Sequence, residues 1–206
     1  MFLKELISKA QIPVQVIWNT EFSDLILKKL KISDSSTLGQ VVKYTSGISI
    51  NNGLLRILGG QNSDISPSIE KYNDLSDPEK SQFPNVLTVA YDAFGGVFAI
   101  NIAKEFAKPG IIVYFAPDTL EWESLEIGHT AFVEWALTAE LMDFYGDLLW
   151  DSFDEDVRKL NANQAFNFYP PLWTKEGKEN KASKRIISLQ ETWQLMLEQA
   201  RFLSDG

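Results

Sequence analysis

NVLTVAYDAFGGVFAIN (Asn85–Asn101), followed by GIIVYFAPDTLEWESLEIGHTAFVEWALTAELMDFYGDLL (Gly110–Leu149), is the stretch whose reading decides the fold. Val86–Ala90 alternates in a β-rich composition, Asp92–Gly96 makes a tight turn, and Val97–Asn101 returns. Lys108-Pro109-Gly110 turns the chain again into Ile111–Ala116, a short apolar run bounded by turn signals, as a buried strand presents. Pro117 stops that run, because proline has no N–H to give to a ladder. From His129 the period becomes helical, with Phe132, Trp135, Ala136, Ala139 and Met142 on one face and Leu137, Leu141, Phe144, Tyr145 and Leu148 on a second. A helix apolar over most of its circumference is packed on two sides. The spacing therefore predicts one long helix lying across the sheet with another helix over it.

Toward the N-terminus, Leu3, Leu6, Ile7 and Ala10 fall at helical spacing, and Pro13 ends that helix or opens the next. Pro13–Trp18 and Phe22–Leu30 read as helical, and Ser36 or Thr37 caps a short helix through Tyr44. GISINNGLLRILGG (Gly47–Gly60) reads as a β-hairpin whose Asn52-Gly53 supplies the positive φ angles of a tight turn. Gln61–Phe83, broken by Pro67 and Pro78, is a long polar connection with room for one helical turn. Connections of that length inside a compact domain are commonly functional or mobile. Toward the C-terminus come a short acidic helix (Asp151–Leu160), an edge-type strand (Phe166–Tyr169) and a charged loop (Thr174–Ser183). Ser188 and Glu191 then form a capping box for a helix with Leu189, Trp193, Met196, Leu197, Ala200 and Leu203 on one face.

Consecutive, short-looped strands that do not alternate with helices predict an α+β fold. Its sheet is mainly antiparallel and twisted, built from residues 47–58, 86–101 and 111–116, and flanked by N- and C-terminal helices. No repeat or change of composition divides residues 1–206, so one domain is expected.

The net charge of -9, from 28 acids against 19 bases, disfavours a nucleic-acid partner or an anionic membrane surface, both of which are gripped through excess Lys and Arg. With no cysteine there is no disulfide or thiolate metal site, which suits a reducing cytoplasm. The start MFLKELISKA mixes Lys4, Glu5 and Lys9 among its apolar residues, unlike a secretory leader, and no apolar run approaches the roughly 18 residues of a membrane span. A cytoplasmic protein is expected.

No phosphate loop, nucleophile elbow, metalloprotease or calcium-loop pattern is present, so no catalytic residue, cofactor or metal is assigned. His129, the only histidine, stands beside Glu126 and reads as an exposed or capping residue able to titrate near neutral pH. Acids crowd two places. Asp118, Glu121, Glu123 and Glu126 follow the third strand of the meander; there Glu121 and Glu123 are either a catalytic pair or the solvent side of an edge strand. Asp143, Asp147 and Asp151 recur every four residues and would form one negative stripe if the helix continues. Such a stripe is either a solvated face or a docking face for a basic partner. Trp150, with Trp173, is either core or an apolar anchor at an interface, including one between copies of this chain.

The phrases GLLRILGG (Gly53–Gly60), YFAPDTLEWE (Tyr114–Glu123), FVEWAL (Phe132–Leu137), FYGDLLW (Phe144–Trp150) and FYPPLWTKEG (Phe168–Gly177) resemble an uncharacterised, mostly bacterial family of unknown function. More loosely, the order of helices, strand meander and F-x-x-W helix is similar to the SUKH superfamily. That superfamily contains immunity proteins that neutralise bacterial toxins and regulators of fungal cell-wall synthesis. The Gln61–Phe83 insertion and the chain after Trp150 depart from its shorter members. The resemblance implies a twisted antiparallel sheet with terminal helices and action by binding. The leading expectation is thus a non-enzymatic protein-binding domain, an immunity protein against a basic toxin or a related interaction module, whose partner meets Glu123, Glu126, Asp143, Asp147 and Trp150. The alternatives are a hydrolase or transferase using Asp118, Glu121 and Glu123, or an oligomer-forming structural protein.

Overall fold

The computed structural model describes residues 2–20, 24–77, 80–178 and 182–204. Seven strands form one antiparallel sheet in strict chain order: β1 (Val14–Trp18), β2 (Thr45–Ile50), β3 (Leu55–Leu58), β4 (Val86–Asp92), β5 (Val97–Asn101), β6 (Ile111–Phe115) and β7 (Trp122–Gly128). The α+β architecture read from the central stretch is the one observed, with a strand added at each edge of the expected sheet.

Register defines the two faces, because residues directly opposite in an antiparallel pair point the same way. One row crosses the whole sheet through Val16, Ile48, Ile57, Ala90, Phe98, Tyr114 and Glu123. The opposite row runs through Gln15, Ser49, Arg56, Tyr91, Val97, Phe115 and Trp122. The first face is covered by α5 (His129–Ala136) and α6 (Glu140–Tyr145), with Phe98 against Phe132 at 5.1 Å and Tyr114 against Phe144 at 5.2 Å between ring centroids. On the N-terminal side, α1 (Phe2–Ser8) and α2 (Leu25–Leu30) lean on α3 (Thr37–Tyr44), and α3 in turn meets α5.

The second face is covered by Phe83 and by α9 (Leu189–Ser204), whose Trp193 lies 6.2 Å from Tyr91 and 5.2 Å from Phe83. The capping residue is the expected one: the Ser188 hydroxyl accepts from Glu191 N at 3.1 Å. Trp193 is 1% exposed and donates its indole N–H to Gly95 O at 2.9 Å. Burying so large a side chain contributes about 3 kcal/mol, and the hydrogen bond fixes where it is spent. Gly95 has φ +86, and a Cβ there would overlap Thr192, so only glycine lets the β4–β5 turn meet α9 so closely.

Four expectations are corrected. Val14–Trp18 is a strand, not a helix: its branched Val14, Val16 and Ile17 suit a pleated surface, and β2 offers it an unpaired edge. The long helix from His129 stops at Ala136, restarts at Glu140 and ends at Tyr145, with a 3-10 turn at Gly146–Leu148. Gln11 crosses at the break, its N–H donating to Leu137 O at 2.8 Å and its side-chain oxygen accepting from Ala139 N at 3.2 Å. The carbonyl and N–H lost to the helix ladder thus find partners from the N-terminal segment. Asp143, Asp147 and Asp151 consequently do not form one helical stripe. The β2–β3 turn is wider than two residues, since Ile50 pairs directly with Leu55, and Asn51, Asn52 and Gly53 all have positive φ.

The fourth correction concerns the C-terminal region. The strand expected at Phe166–Tyr169 is β8 (Gln164–Tyr169), which leaves the main sheet and pairs with the unexpected β9 (Ser183–Ser188). The intervening segment is not all loop, for it holds α8 (Lys175–Lys178). Phe166 N donates to Ala93 O at 2.8 Å and so ties this hairpin to the β4–β5 turn. The acidic α7 (Phe153–Asp156) precedes it, and the long connection after β3 contains α4 (Ile69–Asn73). Leu203, expected on the packed face of α9, is 47% exposed near the helix end. The helix start expected at Phe22 and the break at Pro78 lie outside the described residues.

Candidate functional site

β7 is one of the two edge strands of the sheet, and Glu123 and Glu126 on it, with Glu121 just before it, are exposed. Its pairing with β6 is interrupted. Val113 faces Ser124 and Ile111 faces Gly128, so Leu125, Glu126 and Ile127 stand opposite Ile112 alone, with Glu126 at φ +58. Such a bulge, with charges on an edge, blunts strand-to-strand pairing. What the edge offers a partner is therefore its side chains rather than its backbone.

Register places Glu123 opposite Tyr114, on the face that carries α6. Tyr114 packs against Phe144 of α6, which is 38% exposed and follows Asp143 directly. Glu123 is thus linked through Tyr114 to the half-exposed ring of Phe144, which Asp143 precedes in the chain. Asp147 follows in the 3-10 turn and is exposed. Trp150 belongs elsewhere: it is half-buried among Phe153, Phe166 and Phe168, with Lys184 Nζ 4.4 Å over its ring and its N–H donated to Asp156 at 2.7 Å. Trp173 likewise donates its N–H within the chain, to Gln199 at 2.9 Å.

For the acid–base alternative, Glu121 and Glu123 are exposed, Asp118 is half-buried, and the Glu123 carboxylate accepts from the Thr119 hydroxyl at 3.0 Å. Two of the three carboxylates thus face solvent, and among the described residues no enclosed pocket gathers them as an acid–base pair needs. No group of three or more potential metal ligands occurs among the described residues.

The perturbed titratable groups are inside. Asp92 is fully buried and accepts four hydrogen bonds: from Phe94 N (2.9 Å) and Gly96 N (2.8 Å) within its own turn, and from the hydroxyls of Tyr114 (2.8 Å) and Tyr145 (3.0 Å). Burial pushes its pKa up to about 6, against the opposing pull of those donors. His129 is neither exposed nor a cap. It is buried at the start of α5 with both ring nitrogens unpartnered, and burial holds its pKa down at about 4. Neither side chain is exposed.

The Asp92 cluster and the buried Arg56 escaped the sequence reading. The aspartate of Asp92-Ala93-Phe94-Gly95-Gly96 is a turn signal, but nothing local says that two distant tyrosines close over it. Arg56 had a clearer signal, as the one charge inside the apolar run Leu54–Leu58.

The family described as Protein of unknown function DUF2625 matches residues 1–192. The uncharacterized protein YbfG of Escherichia coli (strain K12) is 36% identical over 182 residues, covering 87% of this chain and 81% of that one. An uncharacterized protein of Haemophilus influenzae (strain ATCC 51907 / DSM 11121 / KW20 / Rd) is 35% identical over 144 residues, 69% of this chain and 63% of its own length.

Proposed function

The chain belongs to the family described as Protein of unknown function DUF2625, and we propose that it acts without catalysis, by receiving a basic protein partner on the acidic end of its sheet. The carrying observation is the β7 edge, which carries exposed Glu123 and Glu126 with Glu121 just before it, while Tyr114, opposite Glu123, packs against the half-exposed ring of Phe144, next in the chain to Asp143. Exposed carboxylates of one sign speed the encounter with a positive surface, and an aromatic ring among them gives the encounter an apolar point to settle on. In its finer form the partner is a toxin neutralised in the cytoplasm, an inference that rests on the loose likeness to immunity proteins. No helix among the described residues is long and apolar enough to cross a membrane.

The test is a pull-down with the wild-type chain and with a variant carrying Glu123→Gln, Glu126→Gln, Asp143→Gln and Asp147→Gln, at low and moderate salt. The proposal expects a basic partner that the wild type holds at low salt, releases progressively as salt screens the contact, and that the variant recovers poorly. Equal, salt-insensitive recovery by both proteins would remove it. A toxin gene immediately upstream of the coding sequence would support the finer form.

A further inference from the structure

At the other end of the sheet, the charge is positive and buried. On the second face, Tyr91 is covered by Trp193, and its hydroxyl donates to Ala162 O at 2.5 Å. The next residues of the same row, Arg56, Ser49 and Gln15, instead line a cavity of about 430 Å³, bounded by Asp64 and Ile65 on one side and by Arg158 and Leu160 on the other. We propose that this cavity is a binding site for a small molecule carrying an oxyanionic group, phosphate or carboxylate, held by the guanidinium groups of Arg56 and Arg158.

Arg56 is 5% exposed, and its guanidinium is fixed in place. Nη1 donates to Ile65 O at 3.0 Å and Nη2 to Leu160 O at 3.1 Å, while the planar group lies against Gly53, where any Cβ would overlap it. Two carbonyl dipoles do not neutralise a full charge, and among the described residues Arg56 has no carboxylate within ion-pair distance. A guanidinium has five N–H donors, so these two bonds leave three to direct elsewhere. A buried charge without a counter-ion is expensive to keep. An anion entering the cavity supplies the missing partner, and the preset fork is the geometry that binds an oxyanion through two parallel hydrogen bonds.

Arg158 brings the second cation to the cavity. It is exposed, its Nε donates to Asp154 O at 3.1 Å, and it too makes no ion pair among the described residues. Asp64 opposes an anion, but it is exposed and pairs with neither arginine, so the site holds two guanidinium groups against one solvated carboxylate. Ser49, Gln15 and Asn52 add neutral hydrogen-bonding groups suited to the rest of a polar ligand. The volume falls in the usual range for small-molecule sites, about 300–1,000 Å³, and admits one metabolite-sized molecule but no folded partner. The site stands apart from the acidic edge, since β1–β3 and β7 are opposite ends of the sheet.

Isothermal titration with inorganic phosphate and, separately, with citrate, at constant ionic strength, tests the proposal on the wild type, on Arg158→Gln and on Arg56→Gln. Saturable binding of at least one probe is expected, weakened about tenfold or more by Arg158→Gln, whose exposed position leaves the fold unchanged on circular dichroism. Arg56→Gln should abolish it. If that variant does not fold, the comparison with Arg158→Gln still decides. Preference for phosphate or for citrate assigns the class of ligand. Absence of saturable binding to both probes, or affinity unchanged in Arg158→Gln, overturns the proposal and leaves Arg56 as a strut between two loops. The variant lacking the four edge acids should bind the probe like the wild type, which separates this site from the protein-docking reading.

Discussion

Asp92 and Glu123 sit on the same face of one sheet, on β4 and β7, yet their carboxyl groups meet different worlds. Asp92 is fully enclosed and held by four donors; Glu123 is exposed, with one hydroxyl beside it. The interior group is bound by geometry and sets stability, because leaving any of its donors unmatched costs free energy. The edge group is screened by solvent, contributes little to folding, and is left available to a partner. Position relative to water, more than residue type, separates the acids that hold this fold from those proposed to meet a partner.

The largest effect should follow from breaking the interior. Asp92→Ala strands two tyrosine hydroxyls and two backbone N–H groups in the core, and should cost about 3–5 kcal/mol in urea unfolding. If it costs less than about 1 kcal/mol, the cluster is not the tie between the β4–β5 turn, β6 and α6 described above.

Next comes pH. Asp92 has a folded pKa of about 6, above its ordinary 3.8, so its contribution to stability is full below about pH 4 and is lost as pH rises through 6. The span is on the order of 3 kcal/mol. Asp92→Asn should remove that slope, and unfolding free energies of both proteins between about pH 4 and pH 8 would show it. His129 works in the opposite direction. Its folded pKa of about 4 lies below the ordinary 6.5, so its contribution is full above 6.5 and is lost as pH falls through 4. The two slopes oppose each other over the mildly acidic range, and the wild-type curve should be flatter there than that of either variant.

His129→Leu removes two buried nitrogens that lack partners, and should stabilise the fold by about 1 kcal/mol at neutral pH while sparing it acid sensitivity. Thermal melts at pH 7 and pH 4 check both halves. The smallest effect belongs to the edge: changing Glu123, Glu126, Asp143 and Asp147 together to Gln should move the stability by no more than about 0.5 kcal/mol.

Much of this was legible along the chain, and the reasons are local. β2 to β6 declare themselves through short apolar runs between Gly, Pro and Asn turns, and α3 and α9 through Ser36 and Ser188 at their caps. What was not legible is what distant residues impose. The break between α5 and α6 depends on Gln11, more than a hundred residues away in the chain, and β1 is a strand because β2 has an edge to fill. The acids of the edge could be named from sequence, but not their arrangement: Glu123 lies opposite Tyr114, which packs on Phe144, whereas the periodicity pointed to a stripe of Asp143 with Asp147 and Asp151. Arg56 went unnoticed although it is the one charge in an apolar run, and its cavity is made by segments around Asp64 and Arg158 that only the fold brings together.

The division between interior and edge is tested most directly on the variant with all four edge acids changed to Gln, by measuring its unfolding free energy and its capture of the proposed basic partner on the same preparation. Stability within about 0.5 kcal/mol of wild type together with loss of capture is the expected result. Unchanged capture, or capture lost only because the variant unfolds, would contradict it.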